Sequence, residues 1–413
     1  MSYTEHYKFP SNENEICSRL KKITTFAVCL SPILFIYRAL KFFMLGEIVL
    51  ILCLFTNLIV SAKTDKYLSR KQFVIFVFAF TILFLSSIGY LVNDNIGTEV
   101  LPRLIRLLFC LFVAALIGGY FFDGNEAKKY IVLISIIATI VIMFQKIYHE
   151  FTGNFIYFIF KDKIYSKTVY NAFYFQNVEI QSIYRPMSFF LEPSHFCQYV
   201  LFAVSIELFK NKISFTEVLV AMFLSVGIFI STSSTGVIIC LILWAVWIFD
   251  KLKHCALNKL LNLKMFFIFI FIFAGGVLSF ILVGDRLLFA VQRILPNGSS
   301  SSSAWTGRLG TFSVFSENES IFNFLFGRGY GAVESELWYA SIPYYFYGVG
   351  AFGIMAIVIF FVSLYCLSND IQKRFLIVFF ALCAVTEVLT NYWLIFILPL
   401  IMTITNDKGH EKS

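Results

Sequence analysis

Apolar residues run along this chain in unbroken stretches close to 20 long, with the polar residues gathered in short clusters between them. A helix rises 1.5 Å per residue, so roughly 20 apolar residues cross a hydrocarbon core of about 30 Å. The stretches therefore predict twelve membrane-spanning helices near 23–41, 43–61, 73–92, 102–122, 130–148, 189–209, 216–232, 234–249, 265–283, 341–366, 374–389 and 391–405. The segment from Met1 to Leu20 is polar, with Glu5, Glu13, Glu15 and Arg19, and no small-residue cleavage site follows the first apolar run. That run is read as a retained span and not a signal peptide.

The polar clusters give the spans a direction. Lysine-rich connections recur on alternate sides: Lys63, Lys66, Arg70 and Lys71; Lys128 and Lys129; Lys210 and Lys212; Lys251, Lys253, Lys259 and Lys264; Lys373 and Arg374. With Lys21 and Lys22 before the first span and Lys408 and Lys412 after the last, the positive-inside rule places both termini in the cytoplasm. Two connections on the opposite side are much longer than the rest, at about 149–188 and about 284–340. Loops of that length are functional or disordered, and their aromatics and arginines favour partly folded outer loops.

Composition agrees with the pattern. Hydrophobic residues make up 59% of the chain, charged residues only 14%, and the mean hydropathy is +0.80. A soluble domain carries roughly 25% charged residues, so the expected fold class is an all-α polytopic membrane protein, residues 1–413 forming a single membrane domain. The net charge of +8 is mostly topological signal and does not point to a nucleic-acid partner. The nine cysteines stand singly, without a CxxC pair, and read as small hydrophobes.

Arginine is distributed against the general trend. Arg19, Arg70 and Arg374 fall on the expected cytoplasmic side, whereas Arg185, Arg286, Arg293, Arg308 and Arg328 lie in or beside the two outer loops. The second loop holds four arginines and no lysine. A guanidinium grips phosphate or carboxylate with a planar fork, so the set points to an outward-facing site for a diphosphate or an acidic sugar. The plainer alternative pairs these arginines with Asp285, Glu317, Glu319, Glu334 and Glu336 or with lipid headgroups.

Three segments bear candidate chemistry. In Arg185-Pro-Met-Ser-Phe-Phe-Leu-Glu-Pro-Ser-His195, a carboxylate and an imidazole stand at the mouth of an apolar helix, where lipid exposure is costly. A helix starting at Pro193 puts Glu192 at its N-cap and His195 in its first turn. An earlier start puts Ser188, Glu192, His195 and Tyr199 on one face. Simple capping and snorkelling is the alternative. The second segment, Ser231-Thr-Ser-Ser-Thr-Gly236, suits either a hydroxyl-lined groove or a tight turn. The third lies in the second outer loop: a flexible Asn297–Ser303 stretch, then Trp305-Thr-Gly-Arg308-Leu-Gly-Thr-Phe312 and Phe326-Gly-Arg328-Gly329-Tyr330-Gly331. Glycines beside an arginine let the backbone approach an anion and offer amide donors next to the guanidinium. No Walker loop, DxD pair, HExxH or GxSxG occurs, so neither a metal nor another cofactor is expected.

The segment RPMSFFLEPSHFCQY, the STSSTG turn and a late loop with TGRLGTF and FGRGYG together resemble the Wzy-type O-antigen polymerases of bacterial inner membranes, relatives of the O-antigen ligases. The layout of about twelve spans with two large periplasmic loops is similar too. The resemblance implies a metal-independent membrane glycosyltransferase with a fold like the C-type enzymes. Its partners would be undecaprenyl-diphosphate-linked oligosaccharide, membrane lipid and a chain-length regulator protein. It would move the growing glycan from one lipid carrier to the next repeat unit, at the periplasmic face of the inner membrane, a step in lipopolysaccharide O-antigen synthesis. On this resemblance Arg185, Arg308, Arg328, Gly329 and Tyr330 would bind substrate, with Glu192 or His195 as base or orienter. Such relatives often carry a histidine shortly after the glycine-rich segment. The stretch from Ala332 to Gly350 has none, so either Glu334 or Glu336 would stand in or the site would use different chemistry. An O-antigen ligase and a lipid-linked sugar transporter are the two competing expectations.

Overall fold

The structure is a computed structural model and describes residues 11–40, 43–61, 68–93, 100–158, 184–210, 214–257, 320–332, 340–390 and 392–405. It is mostly helical, and no strand occurs among the described residues. The helices are α1 (Ser11–Leu34), α2 (Leu45–Ser61), α3 (Arg70–Val92), α4 (Val100–Leu116, closing in a π turn over Ile117–Phe121) and α5 (Gly124–Thr152). They continue as α6 (Pro193–Leu208), α7 (Phe215–Ile230), α8 (Ser234–Leu257) and the short α9 (Ile321–Phe326). The last three are α10 (Ser341–Cys366), α11 (Asp370–Val385) and α12 (Trp393–Thr403).

A helix falls within every expected span except 265–283, which lies outside the described residues. Five segments are long and apolar enough to cross a membrane: Arg70–Val92, Val100–Phe121, Gly124–Thr152, Ser234–Lys251 and Ser341–Cys366. The remaining helices are shorter or more polar, so the expected twelve become a membrane-type helical bundle with five full-length crossings among the described residues. The physical reasons are local. Helix α1 starts well before its apolar run and carries Glu15, Arg19, Lys21 and Lys22, while α6 is cut to 16 residues by the Glu-Pro-Ser sequence at its start.

Capping residues fix several of these boundaries. Ser69 with Gln72 opens α3, Ser214 with Glu217 opens α7 and Asn369 with Gln372 opens α11, each as a capping box that satisfies otherwise orphaned amides. Asp123 caps α5, and Gly153 ends it in the left-handed conformation.

Two helices have no lipid-facing stripe. In α6 every residue except Ser194 is buried, and in α12 every residue from Trp393 to Ile401 is buried. A helix buried on all sides belongs inside a bundle, and these two lie within it. Tyr199 of α6 stacks on Phe396 of α12 at 4.9 Å, and Phe202 packs between Phe375 of α11 and Phe396. The outer helices α2, α3, α5, α8 and α10 instead expose large apolar side chains such as Phe55, Phe84, Phe144, Phe249 and Ile359.

Cross-helix contacts define two ends. At one end Lys71 reaches Gln372 and Lys128 donates to the Thr405 carbonyl at 2.7 Å. At the other end lie the starts of α2, α4, α6, α8, α10 and α12 and the α9 turn.

Candidate active site at the arginine-bearing end

The Arg185–His195 segment enters α6 through a tight, non-helical turn. Helix α6 begins at Pro193, with Glu192 at the N-cap in an extended conformation and His195 in the first turn. Ser188 lies outside the helix with φ +59°, which excludes the one-face arrangement from Ser188 to Tyr199. Buried Gln145 of α5 holds this turn. Its Oε1 accepts from the Ser188 amide at 2.8 Å, and its Nε2 donates to the carbonyls of Ile156 (3.1 Å) and Ser188 (3.3 Å). Tyr184 donates to the Ile156 carbonyl at 3.0 Å; burial pushes its phenol above the usual tyrosine value and keeps it a donor.

The STSSTG segment is the tight turn between α7 and α8, and its residues 231–233 are buried. Ser231 donates to the Ile228 carbonyl at 2.7 Å and lies 3.0 Å from the Cys197 sulfur. Thr232 has φ +54°, and its hydroxyl accepts from Arg185 Nε at 3.3 Å. The turn therefore closes two helices and steers one arginine. Non-glycine residues in this conformation cost about 1–3 kcal/mol and collect at functional sites.

The FGRGYG turn lies against a break in α10. Gly350 has φ +65°, so the helical ladder is interrupted there. The Tyr347 and Gly348 carbonyls then accept from the amides of Arg328 (3.0 Å) and Gly329 (2.7 Å). The Arg328 and Gly329 amides are thus committed to α10, and the Gly327 amide donates to the Asn323 carbonyl at 2.9 Å. What the glycines provide is close approach: a Cβ on Gly327 would fall 2.5 Å from the Gly348 backbone, and one on Gly329 would collide with the Tyr90 ring. The Arg328 guanidinium donates to the Tyr347 hydroxyl at 2.7 Å, and its buried Nε has no partner among the described residues. Tyr330 is fully enclosed. Its hydroxyl donates to the Thr390 carbonyl at 3.1 Å, and its own carbonyl accepts from the Tyr90 hydroxyl. Tyr330 thereby joins the turn to the connection between α11 and α12.

That connection supplies a residue with no motif around it. Glu387 stands between α11 and α12, one-third exposed, with a carboxylate oxygen 3.7 Å from His195 Nε2. The distance exceeds a direct hydrogen bond and is an electrostatic contact. His195 is 5% exposed, edge-on to Trp393 at 5.9 Å, and its buried Nδ1 has no partner among the described residues. Glu192 faces the same imidazole and accepts from the Ser194 hydroxyl at 2.9 Å. The Tyr344 hydroxyl lies within electrostatic reach of the Glu387 carboxylate and interacts with Arg103. Arg103 also donates to the Gly331 carbonyl at 3.0 Å. Beside it, Arg106 pairs with buried Glu47 at 2.9 Å.

The structure thus brings Glu192 and His195 together with Glu387, Tyr344 and Arg103, and places Arg185 and Arg328 at the same end of the bundle. Arg103 and Glu387 carried no sequence motif; the only signal was an ionisable residue near the end of an apolar run. Arg308, Arg286, Arg293, Glu334 and Glu336 lie outside the described residues. Among the described residues no cluster of His, Cys, Asp and Glu has metal-binding geometry.

Fold and site define a polytopic α-helical membrane protein whose ionisable residues gather where two enclosed helices begin. Comparison with protein-family models and with curated proteins finds no match to the chain.

Proposed function

We propose that the protein is a membrane glycosyltransferase of the O-antigen polymerase type, which extends an oligosaccharide carried on undecaprenyl diphosphate by transferring it to the next lipid-linked repeat unit. The observation that carries this reading is the start of the two enclosed helices, α6 and α12, beside the Glu192, His195 and Glu387 cluster. Helix N-termini favour negative charge, and the same end holds Arg103, Arg185 and Arg328. A departing lipid diphosphate gains negative charge in the transition state, and preorganised guanidinium groups stabilise it there. The acceptor hydroxyl needs a base within hydrogen-bond reach, which a carboxylate at this end supplies. Lys71, Lys128, Lys210 and Lys373 lie at the opposite helix ends, and with the positive-inside rule this supports, within this reading, a site on the periplasmic face of a bacterial inner membrane and cytoplasmic termini.

Arg308 belongs to the proposed substrate-binding set with Arg185 and Arg328. Gly329 and Tyr330 serve that set by holding Arg328 in place. Replacing Arg185, Arg308 or Arg328 with alanine is expected to leave expression intact and to shift surface glycan from long chains to a single repeat. Wild-type chain lengths in all three variants contradict the assignment. Gene deletion separates the related activities: loss of a polymerase leaves lipid A-core bearing one repeat, and loss of a ligase leaves polymer on its lipid carrier and none on the core. Glycan transfer by purified protein in detergent, where no compartments exist, separates both from a transporter.

A further inference from the structure

Resting on the polymerase reading, we propose that Glu387 is the carboxylate that takes the proton from the attacking sugar hydroxyl, and that His195 is its positioning partner. Three observations support it.

The first is rigidity without a helix. Residues 386–390 leave the α11 helix, yet their backbone groups are pinned from other elements. The Thr386 carbonyl accepts from both the amide and the hydroxyl of Ser341, each at 2.8 Å. The Leu389 amide donates to Ser341 Oγ at 3.0 Å, and the Leu389 carbonyl accepts from the Tyr345 hydroxyl at 3.1 Å. Tyr330 closes the set on Thr390. Irregular backbone at membrane depth persists only where protein satisfies it or a cavity borders it. A group carried on so fixed a segment is held in the way that a reacting group must be.

The second is exposure. Of the His195 and Glu387 pair, the imidazole side chain is 6% exposed and the carboxylate 33%. The enclosed histidine is therefore poorly placed to meet a hydroxyl arriving from outside, whereas Glu387 presents an open edge. Tyr344 and Tyr392 lie within electrostatic reach of this carboxylate, and Glu192 approaches the same imidazole.

The third is the histidine's own pairing. Its Nε2 faces Glu387 and, among the described residues, its Nδ1 has no partner, so the carboxylates are the polar groups that account for this ring in an apolar wall there.

The step balances simply. The acceptor oxygen forms a bond to the anomeric carbon of the donor glycan, the bond from that carbon to the diphosphate oxygen breaks, and the electron pair leaves with undecaprenyl diphosphate. The hydroxyl proton moves to Glu387, which releases it to water.

The test uses the purified full-length protein with lipid-linked repeat units extracted from a deletion strain, following both polymer formation and binding of the lipid-linked donor. Glu387→Gln keeps the shape and removes the base; turnover is expected to fall about 10²- to 10⁴-fold, with donor KM within a few-fold of wild type. His195→Gln is expected to lower kcat less, again with donor KM retained. Polymer formation by Glu387→Gln at the wild-type rate overturns the assignment while leaving the polymerase reading standing. So does recovery of activity in the double variant His195→Gln/Glu387→Gln, which a merely structural pair would allow. Absence of polymer with the wild-type protein overturns the polymerase reading itself, and the base assignment with it.

Discussion

Arg103 donates from Nη1 to the carbonyl of Gly331 at 3.0 Å and so fastens the start of α4 to the turn that carries Arg328. The same guanidinium faces the Tyr344 hydroxyl on α10. One side chain therefore joins three parts of the arginine-bearing end, and a point charge cannot reproduce that planar fork. Arg103→Lys is expected to fold and to lose one of the two hydrogen bonds. A hydrogen bond from a charged donor contributes about 1.5–3 kcal/mol, so the turn that carries Arg328 is held less firmly and polymerisation should fall. Gel ladders of surface glycan read this as shorter chains; an unchanged ladder shows that the bridge is dispensable.

Gly329 has φ +98° and lies against the Tyr90 ring. Gly329→Ala adds both conformational strain and a collision, so the expected loss is about 1–3 kcal/mol. Thermal unfolding in detergent should show a lowered Tm. A Tm equal to wild type contradicts the close packing described for this turn.

Gln145 satisfies three backbone groups at the Ser188 turn. Gln145→Leu keeps the volume and strands the Ser188 amide and carbonyl, at about 1–3 kcal/mol for each one left unpaired, while the Ile156 carbonyl still accepts from Tyr184. Gln145→Glu keeps the acceptor for the Ser188 amide and loses the two donated bonds. The order of stability expected in thermal unfolding is wild type, then Glu, then Leu. Arg185 follows the same turn, so both variants should also shorten surface glycan.

Most helix positions were legible in the sequence because each is a run of apolar residues whose length alone predicts a helix. The Pro193 start of α6 was legible for a local reason: proline suits a first turn. The candidate site was only half legible. Glu192, His195 and Arg185 share one segment and announce themselves by their cost in lipid. Glu387 does not, because its importance arises from meeting His195, which lies nearly 200 residues away along the chain, in a connection pinned by Ser341, Tyr345 and Tyr330. Arg103 was hidden in the same way, since its partners Gly331 and Tyr344 come from a late turn and from α10. The docking of the Arg328 and Gly329 amides on α10 was not legible, because the break at Gly350, which frees the carbonyls they meet, cannot be inferred from the turn itself.

The most direct test of the polymerase reading is a time course with the purified protein in detergent, lipid-linked repeat units as the only glycan and a chelator present, resolved by chain length. The expected result is a ladder of polymer that lengthens while undecaprenyl diphosphate is released, and that collapses when Arg185 or Arg328 is replaced by alanine. Wild-type protein that leaves the repeat units unjoined, or alanine variants that build the full ladder, contradicts it.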